Sequence, residues 1–158
     1  MPELFQSPND ESRTLTAQLM AQATHAALAF TVAPSRPSVT RIGITLTPDG
    51  TPLALVSRLA AHTAAVEGAP DCALLIGDVG EKGDPLTHPR LTLQCTAEMI
   101  EKTHADYQGL RDHFLAQRPK SKLYIDFPDF QLIRFHPTEA HLNAGFGKAF
   151  KLTPKDLG

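Results

Sequence analysis

Leu53–Thr63, reading LALVSRLAAHT, is the stretch whose interpretation decides the fold. An apolar, β-prone run from Leu53 to Val56 breaks at Ser57 and Arg58 into a short helix-prone segment. Residues four apart share a helix face, which sets His62 and Thr63 one turn beyond Ser57 and Arg58. Free backbone N–H groups at a helix start, a hydroxyl on each side and one fixed positive charge form a compact anion site. Such a site suits a phosphate, and beside a dianion the His62 ring is favoured in its protonated form. The same residues also allow a plain strand-to-helix turn, with Ser57 as N-cap, Arg58 solvated and His62 exposed.

Working outward, Thr47–Gly50 (TPDG) is a turn signal between this strand and an earlier one, Val39–Leu46, so the two form an antiparallel hairpin. On the earlier strand Thr40, Ile42, Ile44 and Leu46 face one way, and Val39, Arg41, Gly43 and Thr45 the other. Further strands are read at Ala27–Val32, Cys72–Ile76, Arg90–Ile100 and Phe130–Phe135, with His136 and Pro137 opening a turn. Leu15, Leu19, Ala23 and Ala26 recur at helical spacing behind Ser7 as cap, which predicts a helix to about His25. A second helix spans roughly His104–Gln117, and a short one Pro154–Leu157. Many short strands with helices at intervals suggest an antiparallel barrel over a βαβ sheet.

Composition narrows the function classes. The 158 residues are read as one domain, large enough to bury a core without disulfides or metals. A net charge of −2 with scattered charged residues is unlike the basic footprint of a nucleic-acid binder. No apolar stretch approaches a membrane span, and Met1–Ser7 lacks the pattern of a secretory signal, so the cytoplasm is the expected location. Cys72 and Cys95, without CxxC spacing, read as small buried thiols in a reducing compartment, in preference to a disulfide. G-x-S-x-G, HExxH and P-loop motifs are absent, and Gly145–Gly147 (GFG) is half of a dinucleotide fingerprint without a βαβ unit. Glu101 and His104 have the spacing of half a carboxylate-bridged metal site whose second copy is missing. No two of the seven histidines are spaced to fix a zinc tetrahedron. Arg90, opening its strand after a loop, either meets a phosphate or polar heterocycle edge or pairs with Asp84.

These pieces together resemble the FMN-binding split-barrel proteins related to pyridoxamine 5'-phosphate oxidase, in the branch that includes haem-utilisation proteins. In order they are Pro37–Arg41 (PSVTR), Asp49–Pro52 (DGTP), Val56–Thr63, Asp84–Leu93 (DPLTHPRLTL), Asp129–Phe130 and Gly145–Ala149 (GFGKA). The resemblance implies a mainly β (α+β) six-stranded antiparallel split barrel with flanking helices, forming a homodimer with FMN in clefts between subunits. It implies that Ser57, Arg58, His62 and Thr63 surround the FMN phosphate, that Thr40 or Arg41 adds to that site, and that Arg90 contacts the isoalloxazine edge. The implied activity is a flavin-dependent oxidoreductase with a small-molecule substrate, no nucleic acid and no membrane. The alternatives are a haem-binding or haem-degrading protein and a non-enzymatic flavin carrier. Ala64 and Ala65 stand where relatives usually carry Arg and Asn, which removes a cation from the phosphate region. In haem-utilisation relatives a C-terminal histidine ligates iron. Here His141, four residues before Gly145 on the last strand or its approach, is the candidate, and the reading preferred over iron ligation is a turn histidine without a ligand, because no neighbour is clearly placed to orient its ring; Glu139, on the same side of an extended chain, is the only adjacent carboxylate.

Overall fold

The computed structural model describes residues 4–158. Met1–Glu3, part of the N-terminal stretch read above for a secretory signal, lie outside it. Strands β1 (His25–Val32), β2 (Arg36–Leu46), β3 (Pro52–Ser57), β4 (Asp71–Ile76), β5 (Arg90–Ile100) and β6 (Phe130–Asn143) run in the sheet order β3-β2-β1-β4-β5-β6. Pairing of β3 with β6 closes them into a six-stranded antiparallel barrel, and β7 (Ala149–Leu152) adds to the second half of β6. The expected split-barrel architecture is therefore the observed one. Closure removes the open edges that a flat sheet of these strands would expose.

Alternation along the strands explains the core. Leu28, Ile44, Leu74, Leu93, Ile133 and Phe135 point into the barrel and are essentially inaccessible. Truncating any of these leucines to alanine is expected to cost about 2–5 kcal/mol through lost transfer energy and the cavity left behind. A smaller apolar cluster lies outside β3, β5 and β6, where Leu53, Ile100 and Leu132 meet Leu110 and Phe114 of α3 (Tyr107–Gln117) and Ile125. Helix α2 (Ala61–Gly68) packs on β1 and β5 through Val66 and Thr63. None of the described helices is long and apolar enough to cross a membrane.

Three local readings change. Helix α1 (Asp10–Gln22) is capped by Asn9, not Ser7, because the Asn9 side chain accepts the Ser12 N–H while the Ser12 hydroxyl accepts the Asn9 N–H. It ends before His25, which already pairs with Gly43 in the sheet. The turn expected at His136 and Pro137 is continuous strand. Pro137, which has no N–H to give, sits opposite Cys95 at a register shift, where β6 carries one extra residue. The TPDG hairpin forms as expected, with Gly50 at φ +87°. Gly77 holds β4 against the start of β5, where a Cβ would lie 2.5 Å from the Pro89 carbonyl oxygen.

Candidate functional site

The Ser57–Thr63 corner forms, but not as one helical face. Ser57 is still in β3, and Arg58 donates its backbone N–H to the Asp129 carbonyl. Helix α2 begins only at Ala61, with Ala60 as an N-cap that offers no side-chain hydrogen bond. The hydroxyls are used internally: Ser57 donates to Asp129 (3.1 Å) and accepts the Leu59 N–H, while buried Thr63 donates to the Ser57 carbonyl (2.6 Å). Arg58 is equally committed. Its guanidinium reaches Glu67 and Glu101, each at 3.0 Å, and the side-chain oxygen of Gln131 at 2.6 Å. Gln131 is buried and spends its own amide N–H groups on the Ile100 and Leu132 carbonyls. Arg58 thus ties α2 to the ends of β5 and β6, which the sequence could not reveal because its three partners lie 9, 43 and 73 residues away.

His62 turns inward, edge-on to Phe30 with ring centroids 6.2 Å apart. Its Nε2 is buried and without a hydrogen-bond partner among the described residues. Burial pushes the His62 pKa below the usual histidine range, opposite to the protonated ring expected beside a phosphate. Thr40 and Arg41 lie where β2 and β3 part. The ladder between those strands ends at Ile44 opposite Ala54, and extending its register would set Arg41 beside Ser57. Arg41 is exposed and makes no ion pair among the described residues. It borders an open depression of about 340 Å³ together with Ala27, Leu75 and Asp78. Arg90 begins β5 and, among the described residues, its guanidinium reaches only the Leu86 carbonyl, at 3.4 Å. The alternative pair with Asp84 does not form, because Asp84 accepts the Leu86 N–H.

A different arrangement gathers on the outer face of the sheet. Register places His141 opposite Thr92, Thr92 opposite Leu75, Leu75 opposite Ala27 and Ala27 opposite Arg41. Directly paired residues share a face, so these five form one row across β6, β5, β4, β1 and β2, about 19 Å long at the ordinary strand spacing. Arg90 is a diagonal neighbour of His141, since it pairs with Asn143. Leu75 and Val39 are exposed on this face at 45% and 66%. His141 is no turn histidine. Its Nε2 meets Glu139 at 2.6 Å, Lys151 holds the other Glu139 oxygen at 3.2 Å, and the Phe5 ring stacks on the imidazole with centroids 4.6 Å apart. The hydrogen bond from His141, then that from Lys151, keeps the Glu139 carboxyl below the usual carboxylate range. The i, i+2 spacing of Glu139 and His141 was the signal available in sequence. Lys151 and Phe5 come from β7 and the N-terminal segment. No group of three or more His, Cys, Asp or Glu suited to a metal ion occurs among the described residues.

Comparison with known proteins gives these sites a context. A family model described as pyridoxamine 5'-phosphate oxidase matches residues 14–144. The non-canonical haem oxygenase HOZ, chloroplastic, of Arabidopsis thaliana is 32% identical over 114 residues, which cover 72% of this chain and 34% of that protein. The chain thus spans about a third of that curated relative. A protein of unknown function from Agrobacterium tumefaciens is 28% identical, with a TM-score of 0.81 over 99% of this chain and 65% of that one. A haem-binding protein from Mycobacterium smegmatis shares the fold at 22% identity, with a TM-score of 0.83 over 96% of this chain and 61% of that one.

Proposed function

This chain belongs to the pyridoxamine 5'-phosphate oxidase family, and from that premise we propose that it binds haem on the outer sheet face, with His141 as the iron ligand. The observation that carries the reading is the Glu139–His141 contact of 2.6 Å under the stacked Phe5 ring. A carboxylate on one ring nitrogen fixes the tautomer and raises the basicity of the other, which is what a metal-ligating histidine needs. With Nε2 given to Glu139, Nδ1 carries the lone pair. The surface beside it fits a flat macrocycle: Thr92, Leu75 and Ala27 continue the row, and Arg41 and Arg90 offer guanidinium groups to carboxylate side arms. The naming of one relative as a haem oxygenase and another as haem-binding supports the same direction. Bound haem would supply a redox-active iron, and the residues of this chain hold and orient it.

A second copy of the chain is proposed to cover this face, since Val39 and Leu75 stand exposed among the small residues Ala27, Ala29 and Ala73. Light scattering showing a monomer at micromolar concentration would count against that homodimer.

FMN is the second reading, favoured by the uncapped start of α2 and the unpartnered Nε2 of His62. In this reading the backbone N–H groups at the start of α2, with His62 and Arg41 or Thr40, receive the phosphate, the hydroxyls of Ser57 and Thr63 having first to leave Asp129 and the Ser57 carbonyl; Arg90 meets the ring edge, and the chain is a flavin-dependent oxidoreductase or a flavin carrier. Arg58 fits a phosphate least well, because Glu67 and Glu101 already occupy it. Titrating the purified protein with haemin and, separately, with FMN tests both readings. A sharp Soret band that His141→Ala abolishes is expected; a broad, unchanged haemin spectrum with tight FMN binding reverses the order.

A further inference from the structure

We propose that Cys72 and Cys95 form a reversible modification site, closing to a cross-strand disulfide by exchange with a low-molecular-weight disulfide such as oxidised glutathione. The two thiols belong to neighbouring antiparallel strands and are direct partners in the β4–β5 ladder. Direct partners share a face, with Cα atoms about 4.5 or 5.5 Å apart according to the hydrogen-bonding class of the pair, inside the 4.4–6.8 Å window of disulfides. Both are free, and both line one open depression with Asp71, Gln94 and Thr138. Cys72 is half-buried and Cys95 is buried at 3% exposure, so the two have different access to a reagent. Thr138 is the extra residue of β6 at the register shift beside Cys95, so the neighbouring ladder is already interrupted where the backbone must adjust.

The order of steps follows from access. The Cys72 thiolate attacks one sulfur of the reagent, forming a mixed disulfide and releasing one equivalent of glutathione thiol. Cys95, after losing its proton to water, attacks the Cys72 sulfur and expels the second equivalent. Two protein thiols are oxidised and one small disulfide is reduced to two thiols. Burial, and then the neighbouring Asp71 charge, pushes the Cys72 pKa up to about 11, and burial raises Cys95 as well. Exchange is therefore slow, and the site responds to sustained oxidation. Nothing in this inference depends on haem or flavin binding.

The test is mass spectrometry of the native full-length chain after incubation with oxidised glutathione and alkylation of remaining thiols. The expected product has lost two hydrogens, carries no glutathione, takes up no alkylating reagent and yields a Cys72–Cys95 linked peptide. Its thermal midpoint should rise by several degrees and return on reduction. In Cys95→Ala, one glutathione should accumulate on Cys72. Two alkylated thiols after incubation, a stable glutathione adduct on the parent chain, or a disulfide between two chains each overturns the proposal. Absence of the adduct in folded Cys95→Ala overturns entry through Cys72.

Discussion

The Ser57–Thr63 corner and the His141 face are opposites in one respect. At the corner, the groups that read as ligands in sequence are spent on the protein itself: Arg58 on Glu67, Glu101 and Gln131, Ser57 on Asp129, and Thr63 on the Ser57 carbonyl. On the outer face a histidine that reads as incidental is held from three directions, by Glu139, by Phe5 and through Glu139 by Lys151. A cluster of polar residue types close in sequence does not distinguish a binding site from a structural joint. What distinguishes them is whether donors and acceptors remain after the chain has satisfied its own.

The widest separation between the two regions should appear with haemin. His141→Ala is expected to abolish the sharp Soret band and weaken haemin binding by about 100-fold or more, on the scale of a lost metal ligand. Far-UV circular dichroism should be unchanged, because His141 is at the surface of β6. Equal haemin spectra in the two proteins would remove the outer face from consideration.

Glu139→Gln should act in the same direction but less, by about 10-fold in haemin affinity, as second-sphere partners of metal-bound histidines do. The parent chain and the variant should also differ in acid titration without any ligand. Because pairing lowers the folded-state pKa of Glu139, its contribution to stability is present above the ordinary carboxylate range and is lost as pH falls through the lowered value. Thermal midpoints measured from pH 6 down to pH 3 should therefore fall less steeply in Glu139→Gln.

Next come the two arginines. Arg58→Ala should destabilise the fold by about 1 kcal/mol, mainly by leaving the buried Gln131 oxygen without its partner, since the ion pairs with Glu67 and Glu101 are partly exposed and screened by solvent. If FMN binds at the corner, Arg41→Ala should weaken it about 10-fold and Arg58→Ala no more than twofold. Isothermal titration of both variants checks this, and the reverse ranking would restore Arg58 to the phosphate site.

The smallest expected effect belongs to His62. Burial lowers its folded-state pKa, so the neutral ring stabilises the fold above pH 6.5, and that contribution is lost as pH falls through the lowered value. His62→Gln should flatten the dependence of the thermal midpoint between pH 7 and pH 5. A parent protein whose stability rises as pH falls through that window would place His62 in its charged form and strengthen the anion-site reading.

Alternating apolar residues and the TPDG turn were enough in sequence for most of the strands and the β2–β3 hairpin, because these are local properties of residue type and spacing, and the ordered set of short motifs, through the family resemblance, supplied the split barrel; the second half of β6 and β7 were not read. Residue types at the strand-to-helix break and at the strand mouth singled out Ser57, Arg58, His62, Thr63 and Arg90, and the family resemblance added Thr40 or Arg41. Whether a group is free or already paired is decided at long range. Closure of β3 on β6 brings Asp129 and Gln131 to the corner, and β7 brings Lys151 to Glu139. Pro137 could be read as a turn until the register showed it inside a strand at a bulge. Residue types and spacing determined which chemistry this chain could carry. Tertiary pairing decided which of those side chains it consumed and which it left for a ligand, because hydrogen bonds and ion pairs form between residues that only the closed barrel makes neighbours.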